Sequence, residues 1–192
     1  MDTGKISQDQ LLYSHPQVDG LVRSLAEVIH KKHPNTKELV LVGIRTGGAY
    51  LAFRLQKLLG ELSGAEPHTG VIDITLYRDD WTRLHTRPVV GRTEINFSIE
   101  DRVVVLVDDV LFTGRTTRAA LDALIDFGRP ARIELAVLID RGHRELPLQP
   151  DYVGAALKTG QTEVIDVFLV EEGVKEDSIV KRLPLDSGNS GS

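Results

Sequence analysis

Asp108 and Asp109 stand side by side directly after Val103-Val104-Val105-Leu106-Val107, and Thr113-Gly114-Arg115-Thr116-Thr117 follows closely. The aliphatic run reads as a strand buried on both faces, the usual state in a parallel sheet. Gly114 marks a turn, and Arg118-Ala119-Ala120-Leu121-Asp122-Ala123-Leu124 reads as a helix. Open α/β sheets bind ligands at the carboxyl ends of their strands, and the free N–H groups of a helix N-terminus attract anions. The stretch therefore sets hydroxyl and N–H donors beside a pair of carboxylate acceptors. That combination suits a phosphorylated sugar, with the donors on the phosphate and the carboxylates on ribose hydroxyls. Taken singly, Asp109 or Thr113 would read as a helix cap. A Walker loop needs a lysine after its second glycine, and none follows Gly114; the dinucleotide fingerprint is absent too. A phospho-receiver would carry its acidic pair at the end of the first strand, whereas this pair lies past the middle of the chain.

The elements that must position these groups alternate between strand and helix. Val18, Leu21, Val22, Leu25, Val28 and Ile29 recur at helical spacing between Gln17 and Lys32, with Pro16 before and His33-Pro34-Asn35 after. Glu38–Ile44 reads as a second buried strand, followed by Arg45-Thr46-Gly47-Gly48 and a helix from Ala49 to Leu59. Its end repeats the same logic: a glycine turn exposes N–H groups at a strand's carboxyl edge. Val71–Tyr77 reads as a third strand, and Arg78–Arg92 is long and polar for a connection, as lids often are. Phe127-Gly128-Arg129-Pro130 stops the helix after the acidic pair. The strand Arg132–Asp140 then delivers Arg141, His143 and Arg144 to the same edge, and Asp151–Gly154 and Thr162–Val170 read as short strands.

The string Val104-Val105-Leu106-Val107-Asp108-Asp109-Val110-Leu111-Phe112-Thr113-Gly114-Arg115-Thr116 resembles the phosphoribosyl-pyrophosphate (PRPP) signature of type I phosphoribosyltransferases. Asp73–Asp80 and Gly128–Pro147 resemble one subgroup, the pyrimidine-operon attenuator/uracil phosphoribosyltransferases (PyrR). Together the resemblance spans roughly residues 15–172. It implies an α/β fold with a central, mostly parallel sheet flanked by helices and a small hood built from N- and C-terminal segments. It also implies an enzyme that converts uracil and PRPP to UMP and pyrophosphate. Thr113, Gly114, Arg115, Thr116 and Thr117 would hold the 5′-phosphate. Asp108 and Asp109 would take the ribose hydroxyls and, directly or through water, Mg²⁺, a hard cation suited to oxygen ligands. Val110, Leu111 and Phe112 complete the signature. Thr46 and Gly47 would meet the pyrophosphate, with Arg87 from the lid. Arg141 matches a substrate-contacting arginine, and Ile165 a hood contact. The commoner family form has arginine where Gly47 stands, which shifts the pyrophosphate contacts to backbone groups, to Arg45 or to a partner loop.

Bulk properties fit this picture. A chain of 192 residues makes one domain with a real core, here 1–183, followed by a linker-like tail at 184–192. The hydrophobic share is 41% and the charged share 27%, both globular values. With no cysteine there are no disulfides or thiolate metal sites, consistent with a reducing cytoplasm. No apolar run reaches membrane-span length, and the start lacks the apolar core of a signal peptide. Family members are dimers or larger. The subgroup's other role, RNA-binding attenuation of pyrimidine genes, would need a basic face. The net charge is −5. Ala26, Ala155 and Gly47 stand about where RNA-binding members carry histidine, lysine and arginine. The expectation is a catalytic member with RNA regulation lost or altered.

Overall fold

The computed structural model describes residues 9–77 and 91–182. Strand β1 (Asp9–Tyr13) leads into helix α1 (His15–Lys32), whose start is fixed by Pro16 in the first turn and by Gln17, whose side chain accepts from the Ser14 N–H at 2.9 Å. Then come β2 (Leu39–Ile44), α2 (Gly47–Ser63), β3 (His68–Ile72), β4 (Val103–Leu111), α3 (Arg115–Ile125), β5 (Arg132–Asp140), β6 (Tyr152–Ala156), β7 (Val164–Phe168) and β8 (Ser178–Arg182). They form two sheets. A parallel five-stranded body runs β3-β2-β4-β5-β6, and an antiparallel three-stranded sheet runs β1-β8-β7.

Alternation along the buried strands assigns each side chain to one face. Leu39, Leu41, Val105 and Val107 pack with Val18, Val22, Leu25 and Ile29 of α1 and Leu51, Leu55 and Leu59 of α2. Val40, Val42, Val104 and Leu106 pack with Ala119, Ala120, Ala123 and Leu124 of α3. Strands covered on both sides are apolar at nearly every position, which is why their centres read as unbroken aliphatic runs. The chain winds outward in opposite directions from β2 and β4, so the sheet's switch point lies between them, at the edge where such sheets form a crevice.

Two expectations change. The third strand stops at Ile72 rather than Tyr77, because Asp73 Oδ1 accepts the Thr75 N–H at 2.7 Å and turns the chain into a short 3-10 helix, Thr75–Tyr77. The strand bearing the acidic pair does not end at Val107 but runs on to Leu111. The expected tail, and Arg87 with the centre of the expected lid, lie outside the described residues.

At the opposite edge of the body, Glu134 is 1% exposed. It accepts from His33 Nε2 at 2.8 Å, from Lys32 Nζ at 2.9 Å and from the Tyr152 hydroxyl. This ties the end of α1 to β5 and β6. Burial alone would raise the Glu134 carboxyl, but the hydrogen bonds from Tyr152, Lys32 and His33 outweigh it and bring it from 4.5 down to about 2. A depressed carboxyl contributes stability above its unfolded pKa and loses it as pH falls toward the folded value, here between 4.5 and about 2. That contribution is about 3 kcal/mol. Glu134→Gln is expected to remove this part of the acid limb, read as the pH dependence of urea unfolding by circular dichroism. An unchanged slope over that interval would refute the assignment.

Candidate active site

Strand β4 pairs with β2 only as far as Val107, opposite Gly43, yet pairs with β5 through Leu111. The carboxylates therefore stand where β4 outruns β2, on the wall of the switch-point crevice. Asp108 is 5% exposed and Asp109 half-buried. The Asp109 N–H donates to Asp108 Oδ1 at 3.0 Å and the Val110 N–H to Asp109 Oδ1 at 2.8 Å, so backbone bonds orient both side chains.

Across the crevice lies the turn Arg45–Gly48, with a cis peptide between Arg45 and Thr46. The first turn of α2 presses onto the sheet here. A Cβ on Gly48 would fall 2.3 Å from the Val107 carbonyl oxygen, and one on Gly43 would fall 2.4 Å from the Gly48 carbonyl oxygen. Only glycine allows that approach, which brings the α2 N-terminus against the strand carrying the acidic pair. A Cβ on Gly47 would come 2.5 Å from Asp109 Oδ2, so these two predicted residues meet directly. Thr46 and Arg45 are exposed.

Beyond Leu111 the chain makes the second glycine turn. Gly114 has φ +89°, a left-handed conformation that glycine adopts without a steric penalty, and it caps α3. The Thr113 carbonyl accepts from the Glu145 and Leu146 N–H groups at 3.0 and 3.3 Å, while Arg115 Nε donates to Glu145 at 2.7 Å. The turn is thus braced from outside, by the segment after β5. Thr113 and Thr116 are half-buried beside it. Thr117 is 2% exposed with its hydroxyl buried and unpaired, and Leu111 is 2% exposed in the core against α3.

Arg141 is 4% exposed. Its guanidinium donates to Thr159 Oγ1 at 3.3 Å and the Gly160 carbonyl at 3.0 Å, and lies 4.0 Å from the centre of the Phe112 ring. Burial pushes its pKa down. The His143 ring meets Phe112 edge-on at 6.0 Å. Phe112, His143, Arg144, Glu145 and Gln161 line a cavity of about 310 Å³. Of these only Phe112 was a sequence-predicted site residue. His143 drew notice but had no periodicity or partner to single it out, and Gln161 carried no signal. Ile165 lies in β7 at 6% exposure, inside the core under the three-stranded sheet.

Most of the sequence-predicted residues lie in the segments that follow β2, β4 and β5; Ile165 lies apart in the core, and Arg87 is outside the described residues. An acidic pair faces one glycine turn and adjoins another, with a buried arginine and a half-buried aromatic ring beside them. Chemically this offers acceptors for hydroxyls or a hard cation, flanked by N–H donors for two anionic groups.

A family profile described as the phosphoribosyl transferase domain matches residues 7–177. "Bifunctional protein PyrR" of Desulfosudis oleivorans is 53% identical over 176 residues, covering 88% of this chain and 96% of that protein. The protein of the same name from Thermus thermophilus is 50% identical over 168 residues, covering 88% and 92%. Among solved structures, Trypanosoma cruzi hypoxanthine phosphoribosyltransferase in complex with the product IMP has a TM-score of 0.67 at 18% identity, covering 95% of this chain and 94% of that one. At that identity the likeness is one of fold.

Proposed function

The chain belongs to the phosphoribosyl transferase family and, within it, to the PyrR proteins, and from that premise we propose that this phosphoribosyltransferase makes UMP and pyrophosphate from uracil and PRPP. The observation that carries the reading is the acidic pair set between two glycine turns at the switch point, a spacing suited to a phosphorylated pentose with a diphosphate on its other end. The 5′-phosphate would lie in the Thr113–Thr117 turn, held by backbone N–H groups and by the Thr113 and Thr116 hydroxyls. The ribose hydroxyls would donate to Asp108 and Asp109. The diphosphate would meet the Arg45–Gly48 turn, with Arg87 as a further candidate contact. The carboxylate oxygens of the pair also suit a divalent cation, and Mg²⁺ arriving with PRPP would neutralise charge on the leaving pyrophosphate.

In the reaction the uracil N1–C1′ bond forms as the C1′–pyrophosphate bond breaks, and N1 loses its proton. Positive charge grows on the ribose ring, negative charge on the leaving oxygens. Fixed charges and positioning are what the site supplies. Phe112 and the adjoining cavity would seat a flat base, and Arg141, stacked on Phe112, would donate to a base carbonyl. The preference for uracil rests on the Asp73–Asp80 and Gly128–Pro147 strings. The test is pyrophosphate release from PRPP and Mg²⁺ with uracil, orotate, hypoxanthine and xanthine in parallel. Uracil is expected to turn over at least about tenfold faster than the others, the discrimination of a site that pairs a polar edge. A faster rate with any other base would refute the uracil assignment.

The relatives' name, bifunctional, favours a second reading, RNA-binding attenuation alongside catalysis. Ala26 is fully buried on the core face of α1, so a side chain at that position faces the sheet and not an RNA. Filter binding to a pyrimidine-operon leader RNA, with its salt slope, separates the readings. A dimer or larger assembly and a cytoplasmic location complete the proposal. Among the described residues no helix is long and apolar enough to cross a membrane.

A further inference from the structure

Asp73 takes no part in the site above, yet three segments interlock around it. Arg45 leaves β2, Asp73 leaves β3, and residues 91–94 return along the outer edge of β3. Val71 and Glu94 exchange backbone hydrogen bonds of 3.0 and 2.8 Å. The Asp73 N–H donates to Thr93 Oγ1 at 3.0 Å, and the Asp73 carboxylate accepts from the N–H groups of Thr75 and Gly91. The fit against Gly91 leaves no room, since a Cβ there would fall 2.2 Å from Asp73 Oδ2 and 2.8 Å from Arg45 Cδ. Arg45 completes the clasp: its backbone N–H donates to the Ile72 carbonyl at 3.0 Å and its guanidinium to the Arg92 carbonyl at 2.8 Å. Glu94 faces the same guanidinium at 4.0 Å. Burial alone would raise the Asp73 carboxyl, but the bonds from Thr75 and Gly91 and the charge of Arg45 outweigh it and hold it below the usual carboxylate range.

Close packing of Gly47 and Gly48 fixes the far end of the turn, but Arg45 and Thr46 are exposed, so core packing does not fix its Arg45 end. We propose that Asp73 is a positioning residue for the pyrophosphate end of the site, locking Gly91–Thr93 against Arg45 so that the Arg45–Gly48 turn is held ready for the leaving diphosphate. It acts through Arg45 and touches no substrate. The inference rests on the transfer reading above. A small misplacement of a binding turn is enough to cost an order of magnitude in rate or affinity.

Steady-state kinetics on the full chain test it, with PRPP and uracil varied in turn and pyrophosphate added as product inhibitor. Asp73→Ala is expected to raise the KM for PRPP and the inhibition constant of pyrophosphate together by about tenfold. The KM for uracil should stay within about twofold of the parent value, the scatter of a surface change. Gly91→Ala, which wedges the same contact, should reproduce the effect, and the double variant should be no worse than either alone. Asp73→Asn, which keeps the acceptor for Thr75, should fall between. A purely structural role would lower the melting temperature and leave both KM values alone; that result, or an equal rise in both, overturns the inference. Should Asp73→Ala not fold, Thr93→Val removes only the acceptor of the Asp73 N–H, and an unchanged PRPP KM there overturns it as well. If the parent chain releases no pyrophosphate with any base, the transfer reading falls and this inference with it. If the parent turns over normally and the variants match it, this inference alone falls.

Discussion

Replacing Asp108 and Asp109 together by asparagine is expected to lower turnover by roughly 10²- to 10³-fold, the scale of losing a preorganised electrostatic group, while the melting temperature stays close to that of the parent. The structure explains why fold and activity should separate. What the carboxylates do for the backbone is accept, from the Asp109 and Val110 N–H groups, and an asparagine Oδ1 does the same. In the proposed reaction, what asparagine would not supply is negative charge beside a ribose ring that becomes positive, or a strong oxygen ligand for a divalent cation. The substitution keeps side-chain volume, so the close approach of Asp109 to Gly47 is undisturbed. The single variants need not add, because groups acting as one unit lose most of their effect with the first removal. Pyrophosphate release at saturating substrates, beside a thermal melt, reads the two quantities. Parental turnover in the double variant would remove the acidic pair from the chemistry.

The second large effect is on stability. Arg54 on α2 grips two carboxylates beside β8 and β7: Nη1 and Nη2 reach Asp177 at 2.5 and 3.0 Å, and Nε and Nη2 reach Glu171 at 2.8 and 2.6 Å. Asp177 is 1% exposed and also accepts from the Val170 N–H at 2.8 Å, with His15 Nδ1 3.3 Å away. This is the ionic seam between the three-stranded sheet and the body. Arg54→Met leaves a buried carboxylate without its main counter-charge, a loss of about 3–5 kcal/mol at neutral pH. The pH dependence has a definite sign. Burial would raise the Asp177 carboxyl and the Arg54 bonds outweigh it; the same bonds are the main cause that lowers Glu171. Their stabilisation is complete above the ordinary values of 4.5 and 3.8 and is lost as pH falls below them. The gap between variant and parent should therefore narrow in acid, measured by urea unfolding at pH 7 and below pH 4. A gap that persists undiminished would mean that Arg54 acts through packing.

Much of the body was legible because its signals are local. Strands covered on both faces are almost wholly apolar, so Val103–Val107 and Leu135–Ile139 stand out, and α1 follows from its periodic stripe and Pro16. The acidic pair and the turn at Gly114 were legible because a strand followed by a glycine turn is a short-range pattern. What escaped depends on distant partners. β1 carries polar side chains and is a strand only because it pairs with β8 across almost the whole chain. Asp73 sat in what read as strand, yet its carboxylate is better satisfied by turning the backbone at Thr75. Arg54 lies in an ordinary amphipathic helix, and its two acidic partners come from far along the sequence. The cavity residues His143 and Gln161 belong to separate segments that meet only in the fold.

The pairing of β1 with β8 carries a consequence for how the molecule is made. During synthesis the body's parallel strands and helices can assemble in order, each finding partners close behind it. β1 has to wait, unpaired, until β8 has emerged, so the three-stranded sheet is completed only after the body's strands have been made. A nascent chain would thus carry the acidic pair on β4 before that sheet is whole, and the grip of Arg54 on Asp177, which needs the segment just ahead of β8, should be among the last contacts to mature.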